Sequence, residues 1–335
     1  MPQANLKPET LRIVSTEDGL HLKDSILWLD AYSTGQLSFL SVARESMKNL
    51  LPQVIATEET VKVLEAFRKK PNALVCQYNR PFSIGQLKME LLPSGHSFGG
   101  ALLYLETSHQ SLLYAPSLQT LKIPTHRQLQ LKKARTLVLR ADTPDPQQTP
   151  SKTRNREKEA FLEQILSFTK NGKWPLIFCK TLPTAQEITK WLCEHDIPLA
   201  VHHQIYKVNK IYESYGSELG NYSQFSQRRS KNKVVLFPYY PTKKGKLPSS
   251  SDRPFLVIKN DLEPLPSSII QDRIDGCFNL NASSYGADFN EVIEKVKPKE
   301  IYFFGPYSKQ YCESFKRNSS CTVKALFSND QPPLF

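Results

Sequence analysis

The chain has 335 residues, of which 39% are hydrophobic and 10% aromatic, and a formal net charge of +12 at pH 7. This length and hydrophobic content predict one large domain or two domains with packed cores. No apolar run reaches about 18 residues, which excludes a transmembrane helix. The first seven residues carry no apolar signal region, which predicts a cytoplasmic location. The positive charge favours a polyanion such as nucleic acid, although solubility or an acidic protein partner would also account for it.

The six cysteines are scattered along the chain and none forms a Cys-x-x-Cys pair. Neither a zinc ribbon nor a redox pair is therefore predicted. Buried, reduced thiols in a cytosolic protein are the expected state of these residues. The 24 prolines against 13 glycines favour many short elements joined by rigid turns.

The first 140 residues are predicted to be rich in strands. Alternating and apolar runs within residues 11–30 predict three short strands, and Asp30 ends the third. Residues 56–68 are predicted to form a helix that Thr57 caps, with two acids in its first turn, where the helix dipole favours them. A strand, a glycine-rich turn and a second strand are predicted at 84–104, and further strands at 112–117 and 134–140.

The middle of the chain changes composition. A stretch rich in Pro, Gln and charge at residues 142–158 is predicted to be a linker or exposed loop that ends the first domain. Helical and strand patterns then alternate, which predicts a small parallel α/β unit. Helices are predicted at 157–170, 184–192 and 208–215, and strands at 174–179, 197–202 and 255–258. We expect His202 and His203 on opposite sides of an extended chain, with a structural role for each.

Residues 219–251 contain no acidic residue but many cations and aromatic rings. The cations are Arg228, Arg229, Lys231, Lys233, Lys243, Lys244 and Lys246, and the interleaved rings are Tyr222, Phe225, Tyr239 and Tyr240. Cations that contact phosphates, next to rings that stack on bases, are typical of single-stranded nucleic-acid binding. A solvated surface loop would have the same composition, so both interpretations stay open.

Three phrases along the chain carry a family resemblance. Residues 57–60 read Thr-Glu-Glu-Thr, residues 93–101 read Pro-Ser-Gly-His-Ser-Phe-Gly-Gly-Ala and residues 182–187 read Leu-Pro-Thr-Ala-Gln-Glu. In this order they resemble metallo-β-lactamase-fold nucleases of the β-CASP group. The resemblance implies an α/β fold, namely an αββα metallo-β-lactamase-like sandwich with an inserted β-CASP-like α/β cap domain. The implied bounds are 1–150 for the first part of the sandwich, 151–265 for the cap and 266–335 for the return segment.

Most positions that hold metal in the resembled family carry other residues here. The family's H-x-H-x-D-H ligands align with Val42, Arg44, Glu45 and Ser46, its bridging aspartate with Ser117, a strand-ending acid with Arg140, and its last ligands with Gly286 and Phe304. Asp30 and His96 are retained, but one imidazole cannot hold zinc, which needs three or four ligands. Aliphatic side chains and guanidinium cations do not coordinate zinc, so the resemblance implies a remnant pocket with no metal and no other cofactor.

These patterns predict a catalytically inactive β-CASP-like subunit that binds single- or double-stranded nucleic acid, or acts as a scaffold, in RNA processing or DNA repair. An active nuclease, ligase or helicase is the candidate partner, and no membrane association is expected. Two alternatives stay open. An exonuclease or other hydrolase with a rebuilt site would use Asp30, Glu45 and His96 as acid–base groups. A protein–protein adaptor would present the basic loop to an acidic partner.

Overall fold

The computed structural model describes residues 11–31, 36–44, 47, 53–67, 69, 71–146, 150–239, 253–259, 273–280, 286–318 and 321–326. The chain divides into two compact units. Unit 1 comprises residues 1–122, 127–149 and 283–335, and unit 2 comprises residues 123–126 and 150–282. The predicted bounds of the cap, 151–265, and of the return segment, 266–335, stay predictions.

The elements of the described residues, in chain order, are short strands with six helices among them. The strands are β1 Ile13–Thr16, β2 Gly19–Leu22, β3 Trp28–Leu29, β4 Leu37–Phe39, β5 Gln53–Ala56, β6 Ala73–Val75, β7 Phe82–Ile84, β8 Leu87–Pro93, β9 Ala101–Glu106, β10 Ser111–Ala115, β11 Thr136–Arg140, β12 Leu176–Cys179, β13 Leu199–Val201, β14 Tyr222–Gln224, β15 Val234–Pro238, β16 Phe255–Lys259, β17 Ile274–Asn279, β18 Glu300–Phe304 and β19 Thr322–Ala325. The helices are α1 Glu58–Ala66, α2 Pro150–Lys170, α3 Thr184–Glu194, α4 His203–Ser214, α5 Gly286–Val296 and α6 Ser308–Asn318.

Unit 1 contains two sheets that share a hydrophobic core. Strands β1 to β6 form the first sheet in sequence order, and the second sheet has the order β19-β18-β11-β10-β9-β8-β7. Phe39 and Ile55 of the first sheet pack into one core cluster with Leu103 of the second. The opposite face of the second sheet packs against Val292 of α5 and Phe315 of α6. The α/β class is thus confirmed, while the assignment to a metallo-β-lactamase-like sandwich stays a prediction.

Strand β9 explains why the second sheet is covered on both faces. Leu103 and Leu105 point into the core between the sheets, whereas Leu102 and Tyr104 point into the core beneath the helices. All four are buried. A strand that is buried on both faces needs a continuous apolar run instead of alternation, and residues 101–105 provide one.

Unit 2 is built on a parallel sheet with the strand order β14-β13-β15-β12-β16-β17. This arrangement confirms the predicted parallel α/β unit. Helices α2, α3 and α4 contribute Phe161, Ile188 and Ile205 to the core on one face of the sheet. Because β17 pairs with β16, residues up to 279 belong to unit 2.

Two sequence-based expectations in unit 2 are wrong. Helix α2 begins at Pro150, whereas residues 142–158 were predicted to be a linker or loop and the helix to start at 157. The polar composition suggested an exposed loop, but Arg154 of this segment forms a buried ion pair with Glu187 of α3. His202 and His203 do not lie on opposite sides of a strand, because His202 caps α4 and the two ring centroids are 4.1 Å apart.

In the part of the chain that the structure describes, no helix combines the length and the apolarity that crossing a membrane requires. The predicted cytoplasmic location stays a prediction. All six cysteines are free thiols, and burial raises the pKa of Cys179 to about 12. The thiolate of Cys179 is therefore not available as a nucleophile near neutral pH.

Candidate functional site

Asp30, one of the residues that the sequence resemblance singled out, bonds two elements of unit 1. It follows β3 and has a positive φ of 52°. Its Oδ1 accepts a hydrogen bond from the Ser41 backbone N–H at 2.8 Å, and its Oδ2 accepts one from the Tyr114 hydroxyl at 3.1 Å. Both carboxylate oxygens thus bind protein donors, and Asp30 links the loop after β4 to strand β10.

The ring of Phe304 lies against the same tyrosine. The ring centroids of Phe304 and Tyr114 are 5.9 Å apart with an interplanar angle of 22°, and Phe39 meets Tyr114 edge-on at 6.2 Å. Tyr114 is only 1% exposed. The strand pattern at residues 112–117 gives Tyr114 no special role, although a buried tyrosine needs a hydrogen-bond partner for its hydroxyl. This need for a partner is the signal in the sequence that could have identified Tyr114.

The loop after β4 is tied into the second sheet. The backbone oxygen of Ser41 accepts a hydrogen bond from the Ala101 N–H at 2.8 Å, and the neighbouring Val42 is buried. Arg44 is half-buried, as is Ser117 after β10. Glu45 and Ser46 lie outside the described residues, so their predicted place in the pocket is not described.

The glycine-rich turn between β8 and β9 is closed by its own backbone. Ser94 N–H donates to Gly100 O at 3.0 Å, and His96 N–H donates to the Ser94 hydroxyl at 3.3 Å. The Tyr78 hydroxyl donates to Gly100 O at 2.9 Å. His96 is half-buried in this turn. The turn is connected to Asp30 through Ser41, whose backbone oxygen accepts from the Ala101 N–H and whose backbone N–H donates to Asp30 Oδ1.

Gly99 brings the turn against the N-terminus of α1. Its carbonyl oxygen accepts hydrogen bonds from the hydroxyls of Thr57 at 2.7 Å and Thr60 at 2.8 Å. Gly99 has a φ of 75°, and a Cβ at this position would lie 2.5 Å from the Thr60 nitrogen. Only glycine fits this conformation and this close approach. The predicted cap is confirmed, since the Thr57 hydroxyl also accepts from Thr60 N–H.

We expect Thr57→Ala to lower the free energy of unfolding by about 1–2 kcal/mol, because the hydroxyl both caps α1 and anchors the turn. Urea denaturation followed by circular dichroism measures this loss. Thr57→Ser keeps the hydroxyl and is the matched control, which should retain most of the stability. Equal losses in the two variants would mean that the methyl group, and not the hydroxyl, is responsible.

The remaining positions that the resemblance singled out differ in their surroundings. Arg140 forms an ion pair with Asp142, with 2.9 Å between Nε and Oδ1. Gly286 is the first residue of α5, and Asp288 lies inside the first turn of this helix, where it accepts a hydrogen bond from the Thr120 hydroxyl at 2.9 Å. No three His, Cys, Asp or Glu residues among those described are grouped so that they could hold a metal ion.

The basic stretch of unit 2 is partly described. Arg228, Arg229 and Lys231 are exposed on a turn before β15. Lys233 is half-buried and donates to the Ser223 hydroxyl at 2.9 Å. The predicted contacts of Lys243, Lys244 and Lys246 lie outside the described residues. The exposed cations on this turn are free of acidic neighbours in sequence, so phosphate groups would meet no local repulsion.

Comparison with known proteins gives one distant relative in sequence. A probable DNA ligase from Opitutus terrae is 21% identical over 321 residues, which is 90% of this chain and 30% of the ligase. The chain therefore spans about a third of the length of this relative. No family model matches the chain.

A solved structure shares the fold. The crystal structure of a protein of unknown function from Enterococcus faecalis V583 covers 88% of this chain and 80% of its own, with a TM-score of 0.60. The two sequences are 11% identical. At this identity the similarity establishes a shared fold and nothing about activity.

Proposed function

We propose that the chain is a nucleic-acid-binding protein or domain that serves DNA processing without metal-dependent hydrolysis of its own. Within this proposal, unit 1 is a degenerate metallo-β-lactamase-like domain and unit 2 a β-CASP-like domain. A ligase, nuclease or helicase is the proposed active partner. The cation-rich turn around Arg228 and Arg229 contacts the phosphates.

The proposal that the chain lacks metal-dependent hydrolysis rests on the hydrogen bonds that Asp30 accepts. A carboxylate that supports a metal centre must direct an oxygen toward a ligand or the ion. Here the Ser41 N–H donates a hydrogen bond to one oxygen of Asp30, and the Tyr114 hydroxyl donates one to the other. The Phe304 ring stacks on Tyr114 where the resembled family has an imidazole. Each oxygen of Asp30 thus already has a protein donor, and Phe304 offers only carbon atoms, which supports the non-catalytic proposal over the rebuilt hydrolase.

Charge and the sequence relative support nucleic acid as the partner. The net charge of +12 attracts polyanions, and Arg228, Arg229 and Lys231 are exposed on one turn. The relative's description as a probable DNA ligase favours DNA over RNA. An adaptor that meets an acidic protein remains the competing function, and the salt dependence of DNA binding separates the two.

The test measures binding of a labelled single-stranded oligonucleotide by fluorescence anisotropy across a salt series. Arg228→Ala with Arg229→Ala should remove two phosphate contacts and flatten the slope of log K against log salt by about 1.4. The same relation gives a roughly 25-fold weaker affinity at 0.1 M salt. The control removes two exposed arginines elsewhere, Arg156→Ala with Arg317→Ala, and should change the slope much less.

A second arm of the test addresses hydrolysis. Single-stranded DNA and RNA incubated with the protein and Zn²⁺ or Mn²⁺ should remain intact. Metal bound in stoichiometric amount, together with cleavage that His96→Ala abolishes, would refute the non-catalytic proposal. Affinity for DNA that does not depend on salt would instead favour the adaptor.

A further inference from the structure

Arg253, which no sequence motif marks, lies just before β16 and donates hydrogen bonds to four backbone carbonyls of unit 2. Its Nη1 donates to Trp174 O at 3.2 Å and Lys233 O at 3.0 Å. Its Nη2 donates to Ser230 O and to Lys231 O, the latter at 2.9 Å. Three of the four acceptors belong to the segment that carries the exposed cations. One guanidinium therefore fixes the base of the basic turn.

The guanidinium has no acidic partner among the described residues. Burial lowers the pKa of Arg253, but arginine remains charged at every physiological pH. Among the described residues, its positive charge meets backbone carbonyl oxygens and no carboxylate. An arginine that served only to balance a buried acid would show a paired carboxylate, as Arg154 does with Glu187.

The basic turn is also closed by local hydrogen bonds. Ser226 N–H donates to the Ser230 hydroxyl at 3.1 Å, and Ser230 N–H donates back to Ser226 O at 3.0 Å. Ser230 is 1% exposed, whereas Arg228 and Arg229 at the tip of the turn are exposed. The backbone of the turn is thus held from inside while its cations face solvent.

We propose that Arg253 is a positioning residue that holds the basic turn, residues 226–233, in the conformation that binds the phosphates of a single nucleic-acid strand. The inference rests on the proposed function and adds the group that organises its binding surface. A turn that is already ordered loses less conformational entropy on binding, so its cations bind more tightly than the same cations on a loose loop. Arg253 acts through the turn and does not itself need to touch the strand.

The experiment combines a double-mutant cycle with hydrogen exchange on the full chain. Arg253→Met should weaken binding of the labelled single strand about tenfold in the wild-type background. In the Arg228→Ala, Arg229→Ala background the same change should cost less than twofold, because the turn has then lost two of its three exposed cations. Arg156→Met removes an equal charge from α2 and should leave the affinity nearly unchanged.

Hydrogen exchange tests the positioning role without nucleic acid. Arg253→Met should speed exchange of the amides in residues 226–233, and leave the amides of α3 and α4 unchanged. Arg253→Lys keeps the charge but has a single ammonium in place of the two-pronged guanidinium, so both exchange and affinity should fall between wild type and Arg253→Met. Arg253→Lys also keeps the test decisive if Arg253→Met does not fold.

The outcomes separate this inference from the proposed function. Unchanged exchange in the turn, or additive losses in the cycle, would overturn the role of Arg253. If the protein does not bind the strand, the proposed function fails, and the exchange data still decide whether Arg253 orders the turn. Non-additive losses together with faster exchange would support both.

Discussion

Glu187→Gln is expected to lower the free energy of unfolding by about 3–5 kcal/mol, because it leaves a buried guanidinium without its counter-ion. The Arg154 and Glu187 side chains are each only 7% exposed, and both Glu187 oxygens accept from Arg154 Nη2. Lys158 Nζ lies 2.9 Å from Glu187 Oε1. Thermal and urea denaturation of the full chain measure the loss.

The control for this prediction lies on the same helix. Glu194→Gln breaks the ion pair between Lys190 and the exposed Glu194, which should change the stability by less than about 1 kcal/mol. Equal losses in Glu187→Gln and Glu194→Gln would contradict the importance of the buried pair. A second variant replaces both Arg154 and Glu187 with leucine, and should recover much of the stability that Glu187→Gln loses.

The same pair predicts a dependence of stability on pH. Burial alone would raise the pKa of Glu187, but the charges of Arg154 and Lys158 and their hydrogen bonds together lower it below its ordinary value of 4.5. A carboxyl whose pKa is lower in the folded state stabilises the fold above the unfolded-state pKa. This contribution should therefore be lost as the pH falls below about 4.5, and Glu187→Gln should flatten the acid side of the stability profile.

Asp30→Ala is expected to destabilise the chain by about 2–4 kcal/mol, since it leaves the Ser41 N–H and the buried Tyr114 hydroxyl without their acceptor. Asp24→Ala is the matched control. Asp24 also has a positive φ, 57°, but is exposed, so this variant reports the cost of alanine in that backbone conformation. The excess loss in Asp30→Ala over Asp24→Ala isolates the two hydrogen bonds.

The Asp30→Ala variant also tests the proposal that the chain has no metal-dependent chemistry. We expect Zn²⁺ to leave the thermal unfolding midpoint of both the wild type and Asp30→Ala unchanged. Stabilisation of the wild type by Zn²⁺ that disappears in Asp30→Ala would show that the carboxylate still supports a metal. Asp30→Asn, which keeps one acceptor oxygen, should lie between the wild type and Asp30→Ala in stability.

The sequence by itself determined the local elements of the chain. The Thr57 cap of α1 and the glycine-rich turn at residues 94–100 follow from propensity and backbone freedom, which depend on residues close in the chain. The parallel unit between residues 174 and 258 follows from alternating strand and helix patterns. That Val42 and Phe304 carry no metal-binding atom was likewise evident from the sequence, because side-chain chemistry needs no coordinates.

Only the tertiary structure decided which distant groups meet. Tyr114 and Asp30 are 84 residues apart in the chain, and Glu187 meets Arg154 across 33 residues. The sequence also did not predict the start of α2 at Pro150 or the hydrogen bonds of Arg253 to the basic turn, because both depend on contacts between distant residues. From sequence alone a polar residue is predicted to be exposed, because burying it without a hydrogen-bond partner costs free energy. The packing of the sheets and helices, and not the neighbouring sequence, determines whether such a partner is present.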